Sequence, residues 1–362
     1  MAWSPTTEQI LDLDGVRRRS DAFRFELCDR ELNPIGELHP DRDQTIPSIQ
    51  NDTSNETARR LTGLKLMADE AGDVDTVTDR LRVYMALQNG VEYRLGTFLW
   101  ADENQPRRSW GDEHHSELVD FNYILAQQST QAFGWGRGAT ISLIMFFLLF
   151  RAGFEMDDIA VIGDEARRGL RDPRSWEPGS TWLNKLNDLG AAVGFVAPWF
   201  DRDGRLHFDQ APNPAFAQPT VPAYGPDTRV ISDSILYSSD VLKSPNDFGM
   251  FDSGTERLRV GRYQLPANAP NSFARRGFRI GHVESSQGME TQAQADKAAA
   301  NMARSADVFE YLAFSSTLDP RHDTYDVVDA YGLRWLETAW TMELRSGGAM
   351  AHTLKRVNYD VV

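Results

Sequence analysis

The densest group of potential metal-ligating side chains in the sequence surrounds a consecutive histidine pair. His114 and His115 have four acidic neighbours, which are Asp112, Glu113, Glu117 and Asp120. Adjacent residues point in different directions on any regular element, so the two imidazoles lack the convergence that a strand-spaced His-X-His or a helix-spaced His-X3-His pair provides. We therefore expect a solvated polar turn or strand end here, not a metal site.

Two aspartate-rich segments offer other possible sites. Asp201-Arg202-Asp203-Gly204 begins like a calcium-binding loop, but Arg205 takes the place of an oxygen ligand, Leu206 that of the sharp-turn glycine and Pro212 that of the bidentate glutamate. The segment Asp319-Pro320-Arg321-His322-Asp323, with Asp326, consists of ordinary turn formers, which favours loop capping. The sequence thus predicts no metal ligand and no cofactor.

No nucleophile stands in a catalytic motif. Cys28, the single cysteine, excludes an internal disulfide, and its apolar neighbours Phe25 and Leu27 predict a buried small side chain in a strand. The glycine-rich segment 134–138 lacks the spacing and the preceding strand of a dinucleotide loop, and neither a Walker motif nor a G-x-S-x-G elbow is present. No catalytic residue is predicted. The many carboxylates leave one alternative open, a cell-wall or carbohydrate-degrading enzyme with carboxylate acid/base catalysis.

Composition limits the class of protein. The 362 residues carry 38 Lys and Arg against 53 Asp and Glu, a net charge of −15, which disfavours a nucleic-acid-binding surface. A hydrophobic content of 41% and a charged content of 25% are typical of a folded globular protein. The N-terminus lacks the pattern of a signal peptide, so we expect synthesis and folding in a cytoplasm. The most apolar stretch, residues 141–150, is too short to span a membrane as a helix and reads as a buried helix.

The first 120 residues have the pattern of an antiparallel sheet or small barrel. Phe23, Phe25 and Leu27 alternate with polar residues, a turn is expected at 33–36, and Asn89-Gly90 predicts a type I′ hairpin. The two strands of this hairpin are expected at 82–87 and 91–95, and further strands at 61–67 and 96–101. Residues 41–55 are expected to form a long connection.

Helices are expected in the middle of the chain. Residues 139–152 and 181–189 predict two helices of an insert, which a hairpin of 195–197 and 205–208 around a turn at 201–204 closes. Six prolines between 212 and 245 mark a boundary. Beyond it, a helix is expected at about 292–312, with Met302, Phe309 and Leu312 on its inner side, and a strand pair is expected around 336–344 and 350–354.

Several of these blocks, taken together and in order, resemble the tail hub (baseplate hub, minor tail) proteins of long-tailed phages, in particular those of actinobacterial siphophages. The resemblance spans nearly the whole chain, but no single block is a strict motif and none is catalytic. The blocks are residues 80–83, 89–90, 93–99, 181–183, 194–195, 203–206, 271–273, 276–278, 319–323 and 335–337.

The resemblance implies a β-rich α+β fold with two tube-like antiparallel β-barrel domains and a smaller α/β insert. The expected boundaries are 1–125 for the first barrel, 126–215 for the insert, and 216–362 for the second barrel with its helix at about 292–312. It also implies a homotrimer whose six barrels form a pseudo-hexameric ring under the tail tube.

The function implied is that of a structural virion protein and not of an enzyme. The hub joins the distal end of the tail tube, or a distal tail protein, to tail-tip, tape-measure or receptor-binding proteins and surrounds the DNA exit channel. We expect it at the tail tip of the virion after synthesis in the host cytoplasm, with no membrane span. DNA should pass through without being bound, which predicts a neutral or acidic lumen.

Overall fold

The computed structural model describes residues that make up most of the chain. They are 21–40, 46–67, 71, 74–87, 89–104, 107–108, 111–170, 173–214, 217–225, 230–239, 243–252, 260–269, 271–286, 291–305 and 310–356. Strands outnumber helices, which confirms the β-rich α+β class.

The N-terminal part is a run of antiparallel strands. Alternating burial along β1 places Phe23, Phe25 and Leu27 in the core, as their period of two predicts. The strands are β1 (Ala22–Cys28), β2 (Pro34–Leu38), β3 (Ser48–Asp52), β4 (Arg59–Met67), β5 (Arg80–Ala86), β6 (Glu92–Asn104), β7 (Arg107–Arg108) and β8 (Gly111–Val119).

Two capped helices form the centre of the next segment. Thr140 and Thr181 accept hydrogen bonds from the N–H groups of Leu143 and Asn184, and Gly153, at φ 105°, ends the first of the two helices. The elements are α1 (Asn122–Leu125), β9 (Phe133–Trp135), α2 (Ile141–Ala152), β10 (Ile159–Ile162), β11 (Arg174–Trp176), α3 (Trp182–Ala191), β12 (Trp199–Phe200) and β13 (Leu206–Phe208), with 3-10 turns at Met156–Asp158 and Asp164–Arg167. None of the helices described has the length and hydropathy needed to cross a membrane.

The C-terminal part contains more than strands of the main sheet. Its elements are β14 (Val230–Ser239), β15 (Asp247–Asp252), β16 (Val260–Gln264), α4 (Phe273–Arg276), β17 (Gly281–Ser286), α5 (Gln292–Ser305), β18 (Glu310–Thr317), β19 (Val327–Ala330), β20 (Leu333–Glu343) and β21 (Ala349–Lys355). Helix α5 packs on β15 and β16 around Phe248, Met250 and Ala299, which makes residues 245–305 a small α/β module with its own core.

One large sheet joins the two ends of the chain. Its strand order is β14-β18-β21-β20-β3-β4-β8-β6-β5-β1-β2, with β19 beside β20 and β7 beside β8. The antiparallel β20–β3 pair connects the N-terminal and C-terminal parts, and Trp340 and Met342 share a core with Phe98. None of the sheets formed by the described strands closes into a barrel, so the two closed barrels expected from the sequence are not found among them.

The turns of the N-terminal sheet differ from the sequence-based expectation. The first lies at Asp29–Asn33, not at 33–36, because Leu32 adopts φ 64° and Pro34 already begins β2. The predicted hairpin is present, but Gly90 N–H donates to the Leu87 carbonyl and Leu87 N–H donates to the Val91 carbonyl. The loop is therefore one residue longer than a type I′ turn, with Gly90 at φ 82° as the bulge residue.

Three element boundaries were also wrong. Residues 92–101 belong to one long strand, β6, and the expected connection at 41–55 contains β3. The C-terminal helix ends at Ser305, and Leu312 lies in β18. Leu312, Phe314 and Ser316 are buried at alternate positions, which is the period of a strand. The sequence-based prediction extended the helix too far because Leu312 also fits the helical spacing that begins at Met302. Phe309 lies outside the described residues.

Cys28 is fully buried at the end of β1, as expected, and burial raises the pKa of its thiol to about 11. Because the thiolate is the reactive form, we expect Ellman's reagent to label Cys28 about 100-fold more slowly in the native protein than in urea. Stopped-flow absorbance at pH 8 measures both rates. Equal rates in the two states would show that the thiol is accessible in the folded chain.

Candidate functional site

The most connected polar site joins three distant parts of the chain through one carboxylate. Asp323 lies in the loop between β18 and β19, where its two oxygens meet the guanidinium groups of Arg59, from β4, and Arg202, from the turn between β12 and β13. The Arg202 Nε to Asp323 Oδ2 distance is 3.1 Å. Burial alone would raise the pKa of Asp323, but the two arginines hold it well below its usual range. We call these three residues the Asp323 network.

Arg202 also fixes the loop that carries Asp323. Its two Nη groups donate to the carbonyls of Pro320, Arg321 and His322 at 2.8, 2.7 and 3.2 Å. A guanidinium group has five N–H donors in a planar fork, so one side chain can satisfy several carbonyls of a tight loop together with a carboxylate. The turn at 201–204 therefore has a structural role toward the C-terminal part of the chain.

Arg59 depends on this network because it has little else to bind. Its side chain is 1% exposed, and its Nε and Nη1 groups are buried with no hydrogen-bond partner in the part of the chain that the structure describes. Trp340 lies below its guanidinium, 5.7 Å from the ring centre, and donates its own indole N–H to the Asp323 carbonyl. Among the described residues, Asp323 is the carboxylate that forms an ion pair with the buried Arg59 side chain.

The same region anchors the middle segment to the N-terminal sheet. Arg94 on β6 pairs with Asp203 at 2.6 Å, and the Thr97 hydroxyl donates to the Arg202 carbonyl at 3.0 Å. Gly204, at φ 80°, brings its backbone close to Thr97. The turn at 201–204 therefore contacts both parts of the large sheet.

A second buried network lies next to the same loop. Glu337 on β20 accepts hydrogen bonds from Nδ1 of His322, at 2.5 Å, and from Nδ1 of His352 on β21, at 2.7 Å. The Nε2 atoms of the two rings contact the hydroxyls of Tyr224, at 2.7 Å, and Ser316, at 2.8 Å. Burial raises the pKa of Glu337 and lowers that of His352. We call this chain the His–Glu–His network.

Two histidines and a glutamate suit a transition metal, so the spacing of their ligand atoms matters. Two atoms bound to one tetrahedral zinc ion at about 2.0–2.2 Å lie roughly 3.3 Å or more apart. The His322–Glu337 and His352–Glu337 pairs are closer than that and have hydrogen-bond distances. The geometry fits a shared-proton network in which each ring nitrogen and each carboxylate oxygen is already bonded.

In the group of histidine and acidic residues at 112–120, the structure gives a backbone position for the two histidines and a bonding role for Asp120. His114 and His115 lie at consecutive positions inside β8, paired with Leu66 and Lys65, and not at a turn or strand end. Burial raises the pKa of Asp120 to about 6, although it accepts N–H bonds from Arg59 and Asn122. Because the folded state then binds the extra proton, Asp120 lowers the free energy of unfolding as pH rises from about 4 to 6.

Loop capping was the interpretation for 319–326, and the structure supports it in part. Asp319 bonds to the Arg321 side chain and Asp326 accepts the N–H of Asp323. The links to Arg59, Arg202 and the His–Glu–His network were missed. Their partners lie 15 to 264 positions away in sequence, and no local spacing signals them.

Comparison with solved structures defines the class of fold, which is that of phage tail proteins. The 43 kDa tail protein of prophage MuSo2 from Shewanella oneidensis superposes with a TM-score of 0.63 and 13% identity, over 94% of this chain and 99% of that one. A tail protein from Neisseria meningitidis MC58 gives 0.62 and 12%, over 94% and 99%. Prophage tail protein gp18 from Listeria monocytogenes EGD-e gives 0.59 and 11%, over 92% and 95%.

The similarity is one of fold and not of sequence. No protein-family model and no curated protein sequence matches the chain. The tail-protein fold nevertheless covers the N-terminal strands, the middle segment and the C-terminal module together, since the matches span over nine-tenths of the chain.

The Asp323 network predicts a large effect of removing its shared carboxylate. We expect Asp323→Ala to lower the free energy of unfolding by about 3–5 kcal/mol, because it leaves Arg59 buried and unpaired. Urea denaturation followed by tryptophan fluorescence measures the change. The matched control is Asp203→Ala, whose more exposed pair with Arg94 should contribute about 0–1 kcal/mol. Similar losses in the two variants would contradict the assignment.

The His–Glu–His network predicts a protein that holds no metal. Mass spectrometric metal analysis of protein purified without chelator should find substoichiometric zinc, nickel and cobalt, and 1,10-phenanthroline should leave the melting temperature unchanged. One equivalent of zinc that is lost in His352→Ala would show that the network is a metal centre.

Proposed function

We propose that the chain is a structural component of a phage tail, and specifically a tail-tip hub. The observation that supports this most is the tail-protein fold over nearly the full length of the chain and of the matched tail proteins. In this proposal it joins the distal tail tube to tail-tip, tape-measure or receptor-binding proteins and lies at the tail tip of the virion. The siphophage type rests on the sequence resemblance alone.

The buried polar residues support a structural role and not catalysis. The carboxylates of Asp319, Asp323 and Glu337 are each bonded to arginine or histidine side chains inside the protein. A glycosidase needs two carboxyl groups that flank an open substrate cleft. These carboxylates hold strands and loops together instead, so the enzyme alternative gains no support from them.

The proposed assembly is a homotrimer around a DNA channel. Residues 1–125 and 216–362 would supply the two tube-like domains, and residues 126–215 the insert. The β3–β20 pair, which makes the two parts one sheet, gives a rigid unit that can repeat around a ring. The net charge of −15 per chain supports a lumen that duplex DNA can traverse without binding.

Native mass spectrometry and fluorescence anisotropy test this proposal together. We expect a trimer of the 40.8 kDa chain and no binding of a fluorescent DNA duplex at physiological salt. Turnover of purified peptidoglycan should be absent in the same preparation. A monomer that degrades peptidoglycan would favour the enzyme alternative, and a trimer that binds the duplex would refute the non-binding channel.

A further inference from the structure

The module formed by residues 245–305 differs in charge from the rest of the chain. It contains eight Lys and Arg against six Asp and Glu, so it is slightly basic, whereas the remaining residues carry a net charge of −17. Four arginines, at positions 262, 275, 276 and 279, lie within 18 residues. A basic module in an acidic chain gives opposite charges that different copies of the same chain can bring together.

One face of this module is uncovered. Among the described strands, β17 pairs only with β15. Its residues Gly281 to Ser285 are exposed, and α5 packs against β15 and β16. Val283 on this strand is 62% exposed. An edge strand with a free backbone edge and an exposed apolar side chain is suited to contact another protein.

Aromatic and basic side chains flank this strand. Phe273 and Phe278, on and just after α4, are 41% and 44% exposed. The guanidinium of Arg279 lies 4.2 Å from the Phe273 ring centre, and Arg275 is exposed with no ion-pair partner among the described residues. Exposed phenylalanine and arginine side chains are the composition enriched at protein–protein interfaces. We call Phe273, Arg275, Phe278, Arg279 and Val283 the arginine–phenylalanine surface.

We propose that the arginine–phenylalanine surface docks against the acidic body of a neighbouring copy of this chain. The inference rests on the homotrimer proposed above and names the surface that forms its contact. Charge complementarity selects the occupant, because the body outside the module carries −17 and the exposed Arg275 lies between Phe273 and Phe278 in sequence, with both phenylalanines exposed. The phenylalanines supply apolar burial and the arginines orient the contact.

The test compares two double variants with the same change in net charge. Arg275→Glu/Arg279→Glu reverses two charges on the proposed surface. Arg167→Glu/Arg345→Glu reverses two exposed arginines elsewhere, with side chains 83% and 54% exposed. Mass photometry over a dilution series measures the dissociation constant of the trimer, and circular dichroism verifies that each variant is folded.

We expect the surface variant to weaken the trimer by roughly 10-fold or more and the control to leave it near wild type. Raising the salt concentration should weaken the wild-type trimer in the same direction. If the wild-type protein is a trimer and both variants have the same dissociation constant as the wild type, this surface is refuted and the proposed homotrimer is not. A wild-type protein that is monomeric at every concentration would refute both the surface and the homotrimer. If the wild-type protein binds duplex DNA and the surface variant does not, the surface is a nucleic-acid contact instead.

Discussion

The shared carboxylate of Asp323 is the interaction on which the arrangement of the whole chain depends. It bonds two arginines that lie 264 and 121 residues earlier, so it ties the N-terminal sheet and the turn at 201–204 to the C-terminal loop. Each of these charges would be costly to bury alone, and they are tolerated because they neutralise one another. Such a network contributes less to net stability than to the choice of one arrangement over others.

The neighbouring His–Glu–His network serves the same purpose within the C-terminal part. Glu337 and His352 lie on adjacent strands, and His322 comes from the loop that Arg202 fixes. Two buried networks therefore meet at residues 321–323 and give that loop a single conformation. The two networks lie close to the place where the two ends of the chain share a sheet.

Patterns among neighbouring residues predict individual helices and strands, but they do not predict contacts between residues that are far apart in sequence. The apolar run at 139–152 and the helical spacing at 181–189 predict α2 and α3, and the period of two in β1 predicts a strand, because each pattern depends on neighbouring residues. The helix at 292 was found at its start, but its end was missed because Leu312 suits a helix face and a strand face equally. Nothing in the sequence around Arg59 indicates that its side chain is buried, since an arginine in a strand is ordinarily exposed to solvent.

In the proposed homotrimer around a DNA channel, the uneven charge of the chain would meet two demands. The lumen would have to leave phosphate unbound, which requires few fixed cations there. The copies would still have to attract one another, although chains of −15 repel on average. The 245–305 module concentrates arginines beside exposed phenylalanines, and in sequence it lies away from the β3–β20 junction. This placement meets both demands if the module lies between subunits of the proposed trimer. In that proposed assembly, uniform acidity would keep DNA unbound but oppose association of the copies, whereas a segregated basic surface would favour association and leave the rest of the ring acidic.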